Sequence, residues 1–346
     1  MASICNDERG RSGVQGGHGR KTLSLSGYSR PSGARMSLQE RGLDLPAKLA
    51  SPLAGMTPDA LREPFTELLA SRVYGLCFSP YAQGQGVGDP LSEQQIRRRM
   101  DIIAPSTRWV RSFACTEGYE LIPGIARSKG LKTMVGAWIG HDRARNDREI
   151  AALLKLAKAG LVDIAAVGNE VLLRDELPEQ DLLAIIQRVR AELPEGVRLG
   201  CVDAYNQFLE RPALVAACDV VLANCYPFWE GADIAHAALY LQRMHALVQA
   251  AAGEKAVIVT ETGWPGKGQV VADAVPSAEN AMRYFIEVQQ WARREGVKLF
   301  YFSSFDEPWK LGQEGEVGAQ WGLWDKDERP KYGSNESYGS PVTHGT

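Results

Sequence analysis

From Val73 onward the apolar and polar positions fall into blocks that recur in one order. A short apolar run leads into a polar loop, and the loop into a segment whose apolar residues return every three to four positions. Another short apolar run follows. Eight runs read as strands: VYGLCFS (73–79), TRWVRSFA (107–114), KTMVGAWIG (132–140), DIAAVGNEV (163–171), VRLGCVDAY (197–205), DVVLANCYP (219–227), AVIVTETGW (256–264) and KLFYFSSFD (298–306). Amphipathic helices are predicted at 92–103, 117–130, 146–160, 178–193 and 277–296. Gly130, Gly160 and Gly296 follow basic last turns and read as helix stops, and Ser277 as an N-cap.

Eight strands alternating with helices predict an α/β fold, a single-domain (β/α)8 TIM barrel, whose usual length of about 250 residues matches the span. An open doubly wound sheet would carry a phosphate-binding glycine turn after its first strand. The segment SPYAQGQGVGDP (79–90) has glycines but no GxGxxG opening onto a helix, so the barrel is favoured. Residues 1–55, rich in Gly, Ser and Arg, read as a disordered extension, 56–332 as the barrel and 333–346 as a loose tail.

Composition narrows the function classes. The 346 residues are 45% hydrophobic and 23% charged, as in a soluble globular protein, and the net charge of −3 gives no argument for nucleic acid or an anionic membrane. The first fifty residues hold eight Lys/Arg against four Asp/Glu, which leaves the rest about seven units negative. No apolar run is long enough to span a membrane, and the start lacks the apolar core of a secretory signal, so the expected location is by default cytoplasmic. Six cysteines show neither CxxC pairs nor zinc spacing and read as reduced thiols. No cofactor or metal is expected.

In this fold, functional groups gather at the C-terminal strand ends. Those ends carry carboxylates on strands four and seven, Glu170 and Glu261, which face each other across a barrel of eight. Two carboxylates over one cleft are the equipment for cleaving a glycosidic bond: one donates a proton to the departing oxygen while the other acts at the anomeric carbon. Aromatic rings around the rim offer flat faces to sugar C–H surfaces; Tyr81, Trp138, Trp229, Trp264 and Trp309 are the candidates, and Asn169 is placed to bond a ring hydroxyl. A Glu at a single strand end can equally cap a helix or pair with an Arg. Trp321 and Trp324 read as hydrophobic closure of the barrel, Asp203 and Asp306 as hydrogen-bonded supports, and His141 as a rim residue.

A second class is a phosphate- or metal-dependent isomerase or aldolase, suggested by Gly263, Gly266, Lys267 and Gly268 after strand seven. It wants a strand lysine or a metal cluster; the strand interiors hold no lysine, and the histidines are scattered at 18, 141, 236, 245 and 344. A third, a catalytically dead carbohydrate-binding barrel, is disfavoured by the presence of both Glu residues.

The segments AAVGNEVL, ANCYPFW, VTETGWP and FSSFDEPWK resemble those of glycoside hydrolase family 17, the β-1,3-glucanases and related β-glucan transglucosylases, over roughly Tyr74 to Tyr332. The likeness is to the shorter bacterial and fungal-like type rather than the plant one. The resemblance implies a retaining mechanism with Glu170 as acid/base and Glu261 as nucleophile, and substrate-binding roles for Tyr226, Glu307 and Lys310. It implies a β-1,3-glucan oligosaccharide or polysaccharide as substrate, with a glucanosyltransferase as the alternative built on the same machinery. Preferred chain length and oligomeric state are not specified by it.

Overall fold

The computed structural model describes residues 51–333. Eight parallel strands close into a barrel in sequence order: β1 (Val73–Cys77), β2 (Thr107–Ser112), β3 (Lys132–Ala137), β4 (Ile164–Asn169), β5 (Arg198–Ala204), β6 (Val220–Asn224), β7 (Ala256–Thr262) and β8 (Lys298–Tyr301). Each predicted strand is present; each expected run overshoots at its C-terminal end by one to five residues. Apolar composition continues there into loops that pack beneath the site after ladder pairing has stopped.

Among the described residues ten helices surround and decorate the barrel: α1 (Pro58–Ala70), α2 (Glu93–Ile103), α3 (Leu121–Ser128), α4 (Arg143–Lys158), α5 (Glu179–Glu192), α6 (Tyr205–Glu210), α7 (Pro212–Ala217), α8 (Ile234–Ala252), α9 (Ala278–Glu295) and α10 (Leu311–Gly318). The capping chemistry follows the sequence. Ser277 accepts from Asn280 N, and Gly130, Gly160 and Gly296 take φ of 71°, 72° and 69°, a region open to glycine at little cost. The segment after β5 forms two short helices. Pro212 has no N–H and forces Arg211 out of helical geometry, to φ −129° and ψ 79°. Ahead of β1, α1 packs on α9, with Phe65 and Phe285 rings 4.6 Å apart.

The expected N-terminal extension and tail lie outside the described residues, apart from 51–55 and Gly333. Ser51 N donates to Ala235 O at 2.9 Å and the Ser51 hydroxyl bonds Glu287, which ties this turn to α8 and α9. Gly333 O accepts from Arg62 of α1 at 3.1 Å. Among the described residues, Cys77, Cys115, Cys201, Cys218 and Cys225 are buried free thiols.

The two ends of the barrel differ. At the N-terminal end Tyr74, Trp109 and Phe300 plug the interior, Tyr74 and Trp109 stacked at 5.5 Å. Toward the C-terminal end the register shifts in three pairings: between Ala166 and Asn169 of β4 against β5, and on β7 against both neighbours, where Val259 and Glu261 pair with the consecutive Ala223 and Asn224 of β6, and between Val259 and Thr262 against β8. An irregularity of this kind re-aims a side chain that strict alternation would bury elsewhere. All three lie at the residues that build the cleft.

Candidate active site

Glu170 follows the irregular end of β4. Gly168 has φ +81°, where a Cβ would lie 2.7 Å from Val171 Cγ2, and Glu170 itself has φ +55°. For a residue with a side chain that left-handed conformation costs roughly 1–2 kcal/mol. It is held by Glu170 N donating to Val202 O at 2.8 Å, and by Asp203, which accepts from Leu172 N and Leu173 N at 2.9 and 3.3 Å. Asp203 is thus the support expected of it; burial pushes its carboxyl up to about 6.

Glu261 ends β7 on a floor of fixed donors. Arg111, buried at the end of β2, donates from Nη1 to Glu261 Oε1 at 2.5 Å and from Nη2 to Asn169 Oδ1 at 2.6 Å. Its guanidinium lies 4.3 Å from the Phe113 ring centroid. Burial works against its charge, but Glu261 and Cys77 together outweigh burial and raise its pKa. Tyr226 OH donates to Glu261 Oε2 at 2.7 Å. Asn224 Nδ2 donates to Glu170 Oε1 at 2.8 Å and to Glu261 Oε1 at 3.1 Å, with its own Oδ1 fixed by Thr260 Oγ1 at 2.8 Å. Because one nitrogen reaches both carboxylates, the two bond lengths together cap the Oε1···Oε1 separation at 5.9 Å. Both Glu side chains are nearly buried, 5% and 6% exposed. Burial first, and the Glu261 charge second, push Glu170 up to about 7, against opposing pulls from Arg174 and the Asn224 hydrogen bond.

Ten of the eleven residues expected at the site line one cleft: Glu170, Glu261, Tyr81, Trp138, Asn169, Tyr226, Trp229, Glu307, Trp309 and Lys310. Asn169 has its carbonyl engaged by Arg111, so its amide nitrogen is the group left for a hydroxyl. Lys310 pairs with Glu307 at 2.8 Å; burial opposes its charge, but Glu307 and Glu314 raise its pKa. Trp264 is the correction. Its indole is 1% exposed, donates to Val275 O at 3.0 Å and packs on Phe228 and Tyr284, so it walls the core beneath the cleft and not the cleft itself. Trp321 is corrected in the opposite sense: expected as closure, it lines the cleft, its ring 5.3 Å from Tyr226 and 5.6 Å from Trp229. Trp324, against Phe305 at 5.9 Å, does close the barrel. His141 is exposed, and Asp306 supports the β8 loop by accepting from Gly322 N and Lys331.

Arg111 and Asn224 were legible only as strand-end residues; nothing local in the sequence says that they meet both carboxylates. Glu117, Arg145, Arg174 and Glu314 also line the cleft from loops and helix starts that carry no motif. The glycines after β7 serve close packing: a Cβ on Gly263 would lie 2.1 Å from Phe302 O, and one on Gly266 2.4 Å from Tyr332 OH. Lys267 is exposed and pairs with Glu316. Among the described residues no group of three or more His, Cys, Asp or Glu is placed to hold a metal ion.

A closed parallel barrel that presents two bridged carboxylates in an aromatic cleft at its C-terminal end has the architecture of a (β/α)8 O-glycosyl hydrolase. Residues 75–322 match the model of the BtgE/BtgC glycoside hydrolase domain, and the chain belongs to this family within glycoside hydrolase family 17. It is similar to a glucan 1,3-beta-glucosidase of Schizosaccharomyces pombe, with 30% identity over 68% of this chain and 78% of that protein. The glucan 1,3-beta-glucosidase BGL2 of Candida albicans is 30% identical over 67% of this chain and 83% of its own length. The fold matches a Rhizomucor miehei beta-1,3-glucanosyltransferase solved in complex with laminaritriose, at TM-score 0.68, 28% identity, 76% of this chain and 96% of that one. Among the described residues no helix is long and apolar enough to cross a membrane.

Proposed function

We propose that the chain acts on β-1,3-glucan chains through a glycosyl-enzyme intermediate, with Glu261 as nucleophile and Glu170 as acid/base. The observation that carries this reading is the Asn224 bridge. An Oε1···Oε1 separation of at most 5.9 Å falls short of the about 6.5–9.5 Å at which inverting enzymes hold their pair and fits the about 5–5.5 Å of retaining ones. The environments divide the labour. Arg111 and Tyr226 hold Glu261 in place with fixed donors, while burial and the neighbouring negative charge raise the pKa of Glu170.

In the first step Glu170 gives its proton to the glycosidic oxygen as that C–O bond breaks, and Glu261 bonds to the anomeric carbon. The ester carries no charge, so one cause of the raised Glu170 pKa is gone. Glu170 then takes a proton from the incoming hydroxyl, whose oxygen displaces Glu261. Water as acceptor gives hydrolysis, and a second glucan gives transfer. The substrate class is supported by the relatives' names and by the aromatic walls, where Trp229 and Trp321 stand 5.6 Å apart and Tyr81 and Trp309 5.9 Å. Among the described residues the five cysteines are unpaired buried thiols, which fits a reducing compartment as the location.

Incubation with laminari-oligosaccharides of defined length, beside cellodextrins and xylans, tests the reading. Shorter β-1,3 products with retained anomeric configuration are expected, joined by longer ones as substrate concentration rises. Cleavage confined to β-1,4 substrates would overturn the substrate class and leave the two-carboxylate chemistry intact.

A further inference from the structure

The turn that leaves β4 brings a second charged residue back to the cleft beside Glu170. Arg174 N donates to Glu170 O at 2.9 Å, and the side chain, 6% exposed, lines the cleft. Its guanidinium lies 4.6 Å from the Trp138 ring centroid, and Nε donates to Glu176 Oε1 at 2.9 Å. Glu176 is itself lodged against Gly140, where a Cβ would fall 2.5 Å from its Oε2, so it anchors the guanidinium from behind. Arg174 Nη2 is buried and bonds to nothing in the protein. Oε2 of Glu176 is unmet as well, so the edge that carries Nε and Nη2 faces Glu176, and a guanidinium fixed there, stacked on a ring and lining the cleft keeps its remaining N–H groups for an oxygen of a bound molecule. Leaving such donors unmet is costly, so they are expected to be met when the cleft is occupied.

The cleft is electrostatically lopsided. Glu307, Lys310 and Glu314 form one charged group, and the Glu261 charge is felt by both Lys310 and Glu314. Arg174 acts on Glu170 instead, which also faces Glu261 from β7, Asn224 from β6 and Asp203 from β5. An acid that protonates the departing oxygen stands on the leaving-group side of the bond. Arg174 and Trp138 therefore belong to that side.

We propose that Arg174, braced on Trp138, reads the sugar on the Glu170 side of the cleft, its guanidinium donating to an oxygen of the leaving group in the first step and of the acceptor in the second. The assignment rests on the glycosidase reading above and adds to it the residue that holds the acceptor against competition from water. Transfer requires the acceptor hydroxyl to be held at high effective concentration over the ester. A charged donor to one of its oxygens supplies that hold, and Arg174 thereby sets the ratio of transfer to hydrolysis.

The test uses Arg174→Met and Arg174→Gln, the second retaining a polar contact to Glu176 and a flat group over Trp138. With an aryl β-laminaribioside as donor, aryl release without added acceptor is expected to fall less than turnover of laminari-oligosaccharides, because that leaving group is not a glucan. With laminaribiose added, the variants are expected to need about tenfold or more acceptor to reach the same ratio of transfer to hydrolysis. On laminari-oligosaccharides, whose leaving group is a sugar, kcat/KM is expected to fall about tenfold even where no transfer occurs. The basic limb of that pH profile is expected to move to higher pH, since a positive charge beside Glu170 is lost. A folded variant of either kind with unchanged acceptor dependence and unchanged oligosaccharide kcat/KM overturns the inference and leaves Arg174 a structural residue. If the unaltered protein releases no aryl group and cleaves no laminari-oligosaccharide, the proposed function fails instead.

Discussion

Replacing Glu261 by Gln removes one negative charge beside Glu170 while keeping the side chain's shape. The size of the effect follows from the Asn224 bridge, which caps the Oε1···Oε1 separation at 5.9 Å, the combined length of its 2.8 and 3.1 Å bonds. At an effective dielectric of about 20, two unit charges at that distance repel by about 2.8 kcal/mol, or about 2 pKa units. Glu170, pushed up to about 7 in the unaltered protein, is expected to drop to about 5 in the variant. It remains above its ordinary value because burial, the larger cause, is untouched. Arg111, left without its carboxylate, adds a positive charge to the floor and works in the same downward direction. The assay is a 13C NMR titration of labelled glutamate carboxyls, with the Glu170 signal assigned from its loss in Glu170→Gln. A Glu170 pKa that moves by less than about half a unit would refute the reasoning, because esterification of Glu261 removes the same charge. The proposed switch of Glu170 from acid to base depends on that fall.

Tyr226→Phe removes the hydroxyl that bonds Glu261 Oε2 at 2.7 Å. A hydrogen bond to a charged group is worth about 1.5–3 kcal/mol, so kcat is expected to fall by roughly 10- to 100-fold with KM little changed; a rise in KM alone would make the hydroxyl a ground-state contact. Glu170→Gln is expected to stabilise the fold at alkaline pH. A carboxyl whose folded pKa is raised from 4.5 to about 7 imposes no penalty below pH 4.5 and destabilises progressively as pH climbs through 7. The variant is therefore expected to gain up to about 3 kcal/mol at pH 8 and nothing at pH 4, read as a Tm difference at the two pH values. Equal Tm at pH 8 would contradict the burial penalty. Trp321→Ala empties a ring that is 3% exposed and packed on Tyr226, Phe228 and Trp229. It is expected to cost about 3–5 kcal/mol in chemical denaturation, and a loss below about 1 kcal/mol would show the ring to be loosely held.

The barrel was legible because each strand is a local apolar run and each helix a local period, and both survive in the sequence without knowledge of their neighbours. The carboxylates were legible for a related reason: a charge that ends an apolar run is conspicuous at Glu170 and Glu261. What the sequence hid was distance. Arg111 looks like one more charge in a strand until β7, 150 positions later, brings Glu261 to within 2.5 Å. Trp264 and Trp321 exchanged their expected places because adjacency in sequence does not fix side-chain direction. Trp264 follows Glu261 by three residues yet turns into the core to bond Val275, while Trp321 arrives from a loop pinned by Ser303 N on Trp321 O at 3.0 Å. The register shifts on β4 and β7 were equally out of reach, since an irregular strand keeps the same apolar composition as a regular one.

The account's central claim is a covalent bond from Glu261 to sugar, and trapping that bond tests it most directly. A 2-deoxy-2-fluoro laminaribiosyl fluoride slows both steps by destabilising the oxocarbenium-like transition state, while its fluoride leaving group keeps the first step fast enough for the ester to accumulate. Intact-mass spectrometry is expected to show one added glycosyl unit, and peptide mapping to place it on Glu261, with turnover restored when laminaribiose is added as acceptor. A label on Glu170 or Glu307, or products of inverted configuration with no adduct at any concentration, would contradict the account.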